Sequence, residues 1–112
     1  MAIVIEDIDG GVTKVVLSGR LDIAGSGEID MPLSIVGGSR RAVVVDLSAV
    51  DFMASLALRS VVMAGKAVHN KGGKLVLLAP QPAVEEVITV SGVDDLFPIL
   101  RELAEAIAAV TA

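Results

Sequence analysis

Two short apolar runs, 42–47 (Ala-Val-Val-Val-Asp-Leu) and 74–79 (Lys-Leu-Val-Leu-Leu-Ala), constrain this chain more than any other feature. Neither alternates apolar with polar residues, which is the pattern of strands covered on both faces. Residues 54–69 between them are rich in Ala, Leu, Val and Met and too long for a loop, so they read as a helix. Strand, helix and strand at this spacing make a right-handed crossover between parallel strands. Asn70-Lys71-Gly72-Gly73 supplies the helix stop.

The other elements fall around this unit. Residues 3–8 and 12–18 read as strands joined by Asp9-Gly10-Gly11, a strong hairpin signal. Pro82 opens a short helix at its first turn, where a missing N–H costs nothing. Val84, Val87 and Ile88 give that helix one apolar face, and Gly92 closes it. Residues 96–99 form a short edge strand, where Pro98 is tolerated. Residues 101–110 form a last amphipathic helix with Leu103, Ala106, Ile107 and Val110 inward. Residues 21–37 are harder to read. Leu21, Ile23, Ile29, Leu33 and Ile35 could line a helix, but Gly25, Gly27 and Pro32 weaken it. An interior proline costs about 3 kcal/mol, so a short or broken helix is expected there. The order is β-β-α-β-α-β-α-β-α, an α/β class with a mixed sheet. At 112 residues, one domain over 1–112 is expected.

Composition narrows the function. The absence of cysteine excludes disulfides, thiolate metal sites and thiol nucleophiles. A net charge of −5 disfavours nucleic acid, which needs a basic footprint. Phe52 and Phe97 are the only aromatics, too few for base-stacking platforms or an aromatic-lined ligand pocket. Mean hydropathy is high, at +0.76. Yet no run of roughly 18 residues is free of charge, so no membrane insertion is expected. The first residues lack a basic region followed by an apolar block, so a cytoplasmic protein is expected.

Several motifs fail on inspection. Gly25-Ser26-Gly27 begins like a dinucleotide fingerprint, but Asp30 holds the third glycine position and no strong strand precedes it. Gly72-Gly73-Lys74 hints at a phosphate loop, but Val68 stands where the first glycine belongs and Leu75 replaces Ser/Thr. His69, the sole histidine, has no nucleophile partner, and the end of a helix suits it as a capping or solvated group. Glu85-Glu86 and Asp94-Asp95 are sequence neighbours, which do not face each other on a helix, so they read as solvated faces and caps. Catalytic residues, cofactor and metal site are therefore all expected to be absent.

Ser55 remains, in Asp51-Phe52-Met53-Ala54-Ser55-Leu56, where the crossover helix must start. One reading is an N-cap whose hydroxyl accepts a free backbone N–H. The other uses the same place differently. A helix start favours negative charge, so a phosphoserine there would be held. Arg59 lies one turn on, within reach of such a phosphate.

The chain resembles the STAS domains of the anti-sigma factor antagonist type. Leu17-Ser18-Gly19-Arg20-Leu21-Asp22 is close to that family's L-x-G-x-L-D. Val44-Val45-Asp46-Leu47-Ser48 and then Asp51-Phe52-Met53-Ala54-Ser55 is close to its V-x-D-L and V-x-F-M-D-S-[ST]-G-L. Gly72-Gly73-Lys74-Leu75 and Ser91-Gly92-Val93-Asp94-Asp95-Leu96-Phe97-Pro98-Ile99 extend the likeness over nearly the whole chain. The resemblance implies a mixed sheet with helices packed on one side. It implies a binding module and kinase substrate, not an enzyme, with Ser55 as phosphoacceptor. The implied partner is an anti-sigma factor, a serine kinase of the GHKL ATP-binding fold, whose capture frees a sigma factor. A metal-dependent phosphatase would reverse the mark. The protein would act as a monomer or weak homodimer.

The sequence departs from the pattern around that serine. Ala54 replaces an Asp, Leu56 a Ser or Thr, Ala57 and Arg59 two glycines, and Arg20 an acid. Asp22, at the end of the second strand, could share a rim with Ser55 or cap the next helix. The expected partner-binding set is Asp22, Met53, Ala54, Leu56 and Arg59. Ala54 and Leu56 also fit a second reading, a STAS scaffold or regulatory subunit of a stress-signalling assembly or ABC transporter, held by a permanent apolar contact.

Overall fold

A five-stranded sheet in the order β1-β2-β3-β4-β5 organises the computed structural model, which describes residues 2–112. The strands are β1 (Ile3–Ile8), β2 (Val12–Leu21), β3 (Ala42–Met53), β4 (Lys74–Leu78) and β5 (Ile99–Leu100). The helices are α1 (Ile23–Ser39), α2 (Ser55–Asn70), α3 (Pro82–Val90) and α4 (Leu103–Thr111), with a 3-10 turn at Val93–Asp95. β1 and β2 pair antiparallel, and every later pairing is parallel. The hairpin closes at Ile8 opposite Val12, with Gly10 and Gly11 at φ 84° and 77°. That left-handed backbone is what a tight hairpin turn asks of glycine.

β2 and β3 run past the apolar stretches that announced them, to Leu21 and Met53. Their pairing shifts register between Val16 and Ser18 and again between Gly19 and Arg20. Beyond these irregularities Leu21 still pairs with Met53, and the Ala54 N–H donates to the Leu21 carbonyl at 2.9 Å. The two strands therefore end side by side, and the helices that follow them start side by side.

The core obeys the strand period of two. Val15, Leu17, Val43, Val45, Leu75 and Leu77 point to one face, against α1, α2 and α3. Val12, Val44, Val76 and Leu78 point to the other, covered by Ala106 and Val110 of α4. The mixed sheet and the element order are as expected, but the helices do not all pack on one side. β3 and β4 are apolar on both faces, so each face needs a cover, and α4 supplies the second. Leu103, expected inward, is 37% exposed.

α1 is one continuous helix through Pro32, not a broken one. Ile29, Leu33 and Val36 are 0–2% exposed. Burying each such side chain is worth about 1.5–3 kcal/mol, and together they exceed the roughly 3 kcal/mol of the proline. Tertiary packing thus overrides local propensity. One glycine sets the α1–α2 spacing and another makes room for a core ring. A Cβ on Gly37 would lie 3.0 Å from the Ala64 Cα, and one on Gly65 would strike the Phe97 ring. Lys71 Nζ also donates to the Gly37 carbonyl, tying the end of α2 to α1. Far from this contact, Arg101 grips Glu85 with two bonds of 2.7 Å. That pair holds the Glu85 carboxyl below its usual value.

Candidate functional site

The rim where β2 and β3 end is built from two helix starts. Asp22 is the N-cap of α1. Its Oδ1 accepts the Gly25 N–H at 3.0 Å, and its backbone carbonyl accepts the Ser26 hydroxyl at 2.7 Å. Its other carboxylate oxygen lies 3.7 Å from Arg20 Nε. The capping role weighed for Asp22 is thus realised, while its side chain remains 46% exposed at the rim.

At the start of α2 the capping position belongs to Ala54, and no side chain caps the helix. Ser55 is the first helical residue, so the N-cap reading of Ser55 is corrected by one position. It is exposed, and among the described residues nothing hydrogen-bonds its hydroxyl. An alanine cannot accept the first amides of α2, so they face outward beside that hydroxyl. Such a start favours negative charge.

The expected site residues separate on burial. Met53 is 4% exposed and sits in the core beneath the rim, so its assignment as a docking residue is corrected. The strand alternation that pairs it with Leu21 turns it inward. Ala54 is half-buried. Leu56 is 49% exposed, although it opens a helix whose other face is core. Arg59 is exposed and lies with Leu56 along the groove between α1 and α2.

Three surface features were not foreseen. The Arg20 guanidinium stacks over the Phe52 ring at 4.1 Å, fixing a cation at the rim. Ile23 and Met63 line the same groove as Leu56, exposed by 76% and 59%. Leu56, Arg59 and Met63 follow one another at spacings of three and four, so α2 carries a second stripe facing away from the core. That spacing was legible in the sequence. The floor of the groove is polar: the Ser60 hydroxyl donates to Asp30 of α1 at 2.7 Å. Among the described residues no cluster of His, Cys, Asp or Glu could hold a metal ion, and no helix is long and apolar enough to cross a membrane.

The STAS domain pattern matches residues 4–106. The chain is 32% identical to BtrV of Bordetella bronchiseptica, a candidate anti-sigma factor antagonist, over 97% of this chain and 94% of that protein. It is also 32% identical to an anti-sigma factor antagonist of Mycobacterium paratuberculosis, with a TM-score of 0.81 over 98% of this chain and 93% of that one. The fold recurs in the anti-sigma factor antagonist SpoIIAA. Its unphosphorylated form is 23% identical, with a TM-score of 0.81 over 96% of this chain and 95% of that one. Its phosphorylated form, from Bacillus, is 22% identical, with a TM-score of 0.74 over 96% and 98%. The chain belongs to the STAS domain family, as a protein of the anti-sigma factor antagonist type.

Proposed function

We propose that this protein binds an anti-sigma factor of the GHKL serine-kinase type through the rim formed by Asp22, Ala54, Ser55 and Leu56, and thereby frees a sigma factor. The observation that carries this reading is Ser55 itself, an exposed, unbonded hydroxyl at an uncapped helix start, beside an exposed leucine. The antagonist relatives support it. The protein is then a binding module rather than an enzyme, and Ser55 is where its partner marks it.

In that step the kinase passes the γ-phosphoryl of ATP to Ser55 Oγ. An O–P bond forms, the bond to ADP breaks, and the hydroxyl proton leaves to a base of the kinase. The product adds nearly two negative charges and three acceptor oxygens to the docking surface. A penalty of ~3 kcal/mol would loosen the complex more than a hundredfold. A phosphatase restores the hydroxyl by adding water across the O–P bond.

The exposed apolar residues Ile23, Leu56 and Met63 along the groove favour a second reading, in which the same surface holds a scaffold or transporter ATPase permanently. Capture from the source organism with wild-type and Ser55→Asp baits separates them. A GHKL-type kinase retained by wild type and lost with Ser55→Asp is the expected result. A transporter ATPase or scaffold component retained by both baits would replace the first reading with the second.

A further inference from the structure

Seven of the nine lysines and arginines are engaged by a carboxylate or a backbone carbonyl. Among the described residues only Arg59 and Lys66 are not. Lys66 is an exposed residue two turns further along α2. Arg59 stands one turn from Ser55, on the groove that also holds Leu56. The one carboxylate that lines the groove, Asp30, makes no ion pair with it and accepts the Ser60 hydroxyl. Arg20, the other rim cation, is committed to Asp22 and to the Phe52 ring. Arg59 is thus an exposed guanidinium with no anion of its own chain, one turn from Ser55, and is available to an outside anion.

We propose that Arg59 reads the modification state of Ser55: it takes a carboxylate of the bound partner while Ser55 is unmodified, and is withdrawn from that carboxylate into a pair with the phosphate once Ser55 is phosphorylated. The proposal rests on the reading of Ser55 as the phosphoacceptor. Residues four apart on a helix are neighbours, roughly 5–6 Å between Cβ atoms, and an anion placed N-terminal to the cation is the better order. The phosphate is favoured at the helix start, and the planar guanidinium can grip two of its oxygens. One event thus removes the partner's cation and adds a charge that repels the partner's carboxylate. Release comes from exchange of one arginine between two anions, not from repulsion alone.

The test uses the full chain carrying phosphoserine at position 55, introduced by genetic code expansion. Phosphorus NMR follows the second ionisation of the phosphate in three backgrounds. In wild type it lies about 0.2–0.4 pH unit below its value in Arg59→Gln, and Arg59→Lys recovers part of the difference. Arg20→Gln leaves it near the wild-type value. Equal values in wild type and Arg59→Gln overturn the proposal, with no partner in the tube. A matching arm measures affinity for the captured GHKL-type kinase. Phosphorylation weakens wild type by a hundredfold or more, but weakens Arg59→Gln by tenfold or less, because that variant has already lost the exchangeable contact. The same loss in both backgrounds also overturns it. Failure of the unmodified wild type to bind any such kinase instead counts against the functional reading, and the NMR result still decides whether Arg59 holds the phosphate. Unchanged amide spectra of the unphosphorylated variants establish that each is folded.

Discussion

α1 and α2 start side by side at the same rim, and they are stabilised in opposite ways. α1 has an unpromising interior, with glycines and Pro32, yet a good start: Asp22 accepts the Gly25 N–H and the Ser26 hydroxyl bonds back to the cap carbonyl. α2 has a well-patterned interior, with Ala57, Val61, Ala64 and Val68 inward, yet an alanine where a cap belongs. A helix held by packing along its whole length can leave its first amides unsatisfied at modest cost. In α1 the core face must also offset Pro32, and there a cap is present. The difference shows which start is closed by its own cap and which is left open.

This comparison can be broken at several points. The largest effect is expected for Leu33→Ala. If burial carries α1 through Pro32, losing this fully buried side chain costs about 2–5 kcal/mol in urea unfolding. A cost below about 1 kcal/mol would mean that α1 is held by something other than its core face. Asp22→Ala comes next. Loss of the cap should cost about 1 kcal/mol. That lowers the melting midpoint by roughly 4 °C for a domain of this size.

Ala54→Asp sharpens the contrast from the other side. A carboxylate at the vacant cap should raise stability by about 0.5–1 kcal/mol. No gain would show that the amides of α2 are already satisfied. The smallest effect lies away from both helix starts. Glu85 is held below its usual pKa of 4.5 by hydrogen bonding to Arg101. Its contribution is therefore present above about pH 4.5 and is lost as pH falls through the lowered value. Arg101→Gln should lower stability slightly at pH 7, and the two proteins should converge in acid. Persistence of the gap in acid would mean that Arg101 contributes through packing.

The crossover unit was legible because β3 and β4 are apolar runs and α2 has the helical period between them. The hairpin was legible through Asp9-Gly10-Gly11, and α3 through Pro82. α1 was misread as broken because local propensity counts Pro32 but does not count the burial of Ile29, Leu33 and Val36. The last three residues of β2 and the later half of β3 were not legible, because the pairing there is irregular. That error carried over to the site. With β3 ended at residue 47, nothing marked Met53 as an inward strand residue. The resemblance implied helices on one side only, whereas the apolar runs of β3 and β4 already asked for a cover on both faces, and α4 supplies the second. Ser55, Leu56 and Arg59 were legible through their position at a helix start. The freedom of Arg59 was not, since it depends on where every carboxylate settles after folding.

The most direct measurement is calorimetric titration of a GHKL-type anti-sigma factor from the same organism with wild type, Ser55→Ala and Ser55→Asp. The expected result is that Ser55→Ala binds within about twofold of wild type, because the unmodified hydroxyl serves only as an acceptor site for phosphate. Ser55→Asp should bind far more weakly, because charge at the uncapped start of α2 is what ends the complex. Equal affinity of all three would contradict charge control at this rim.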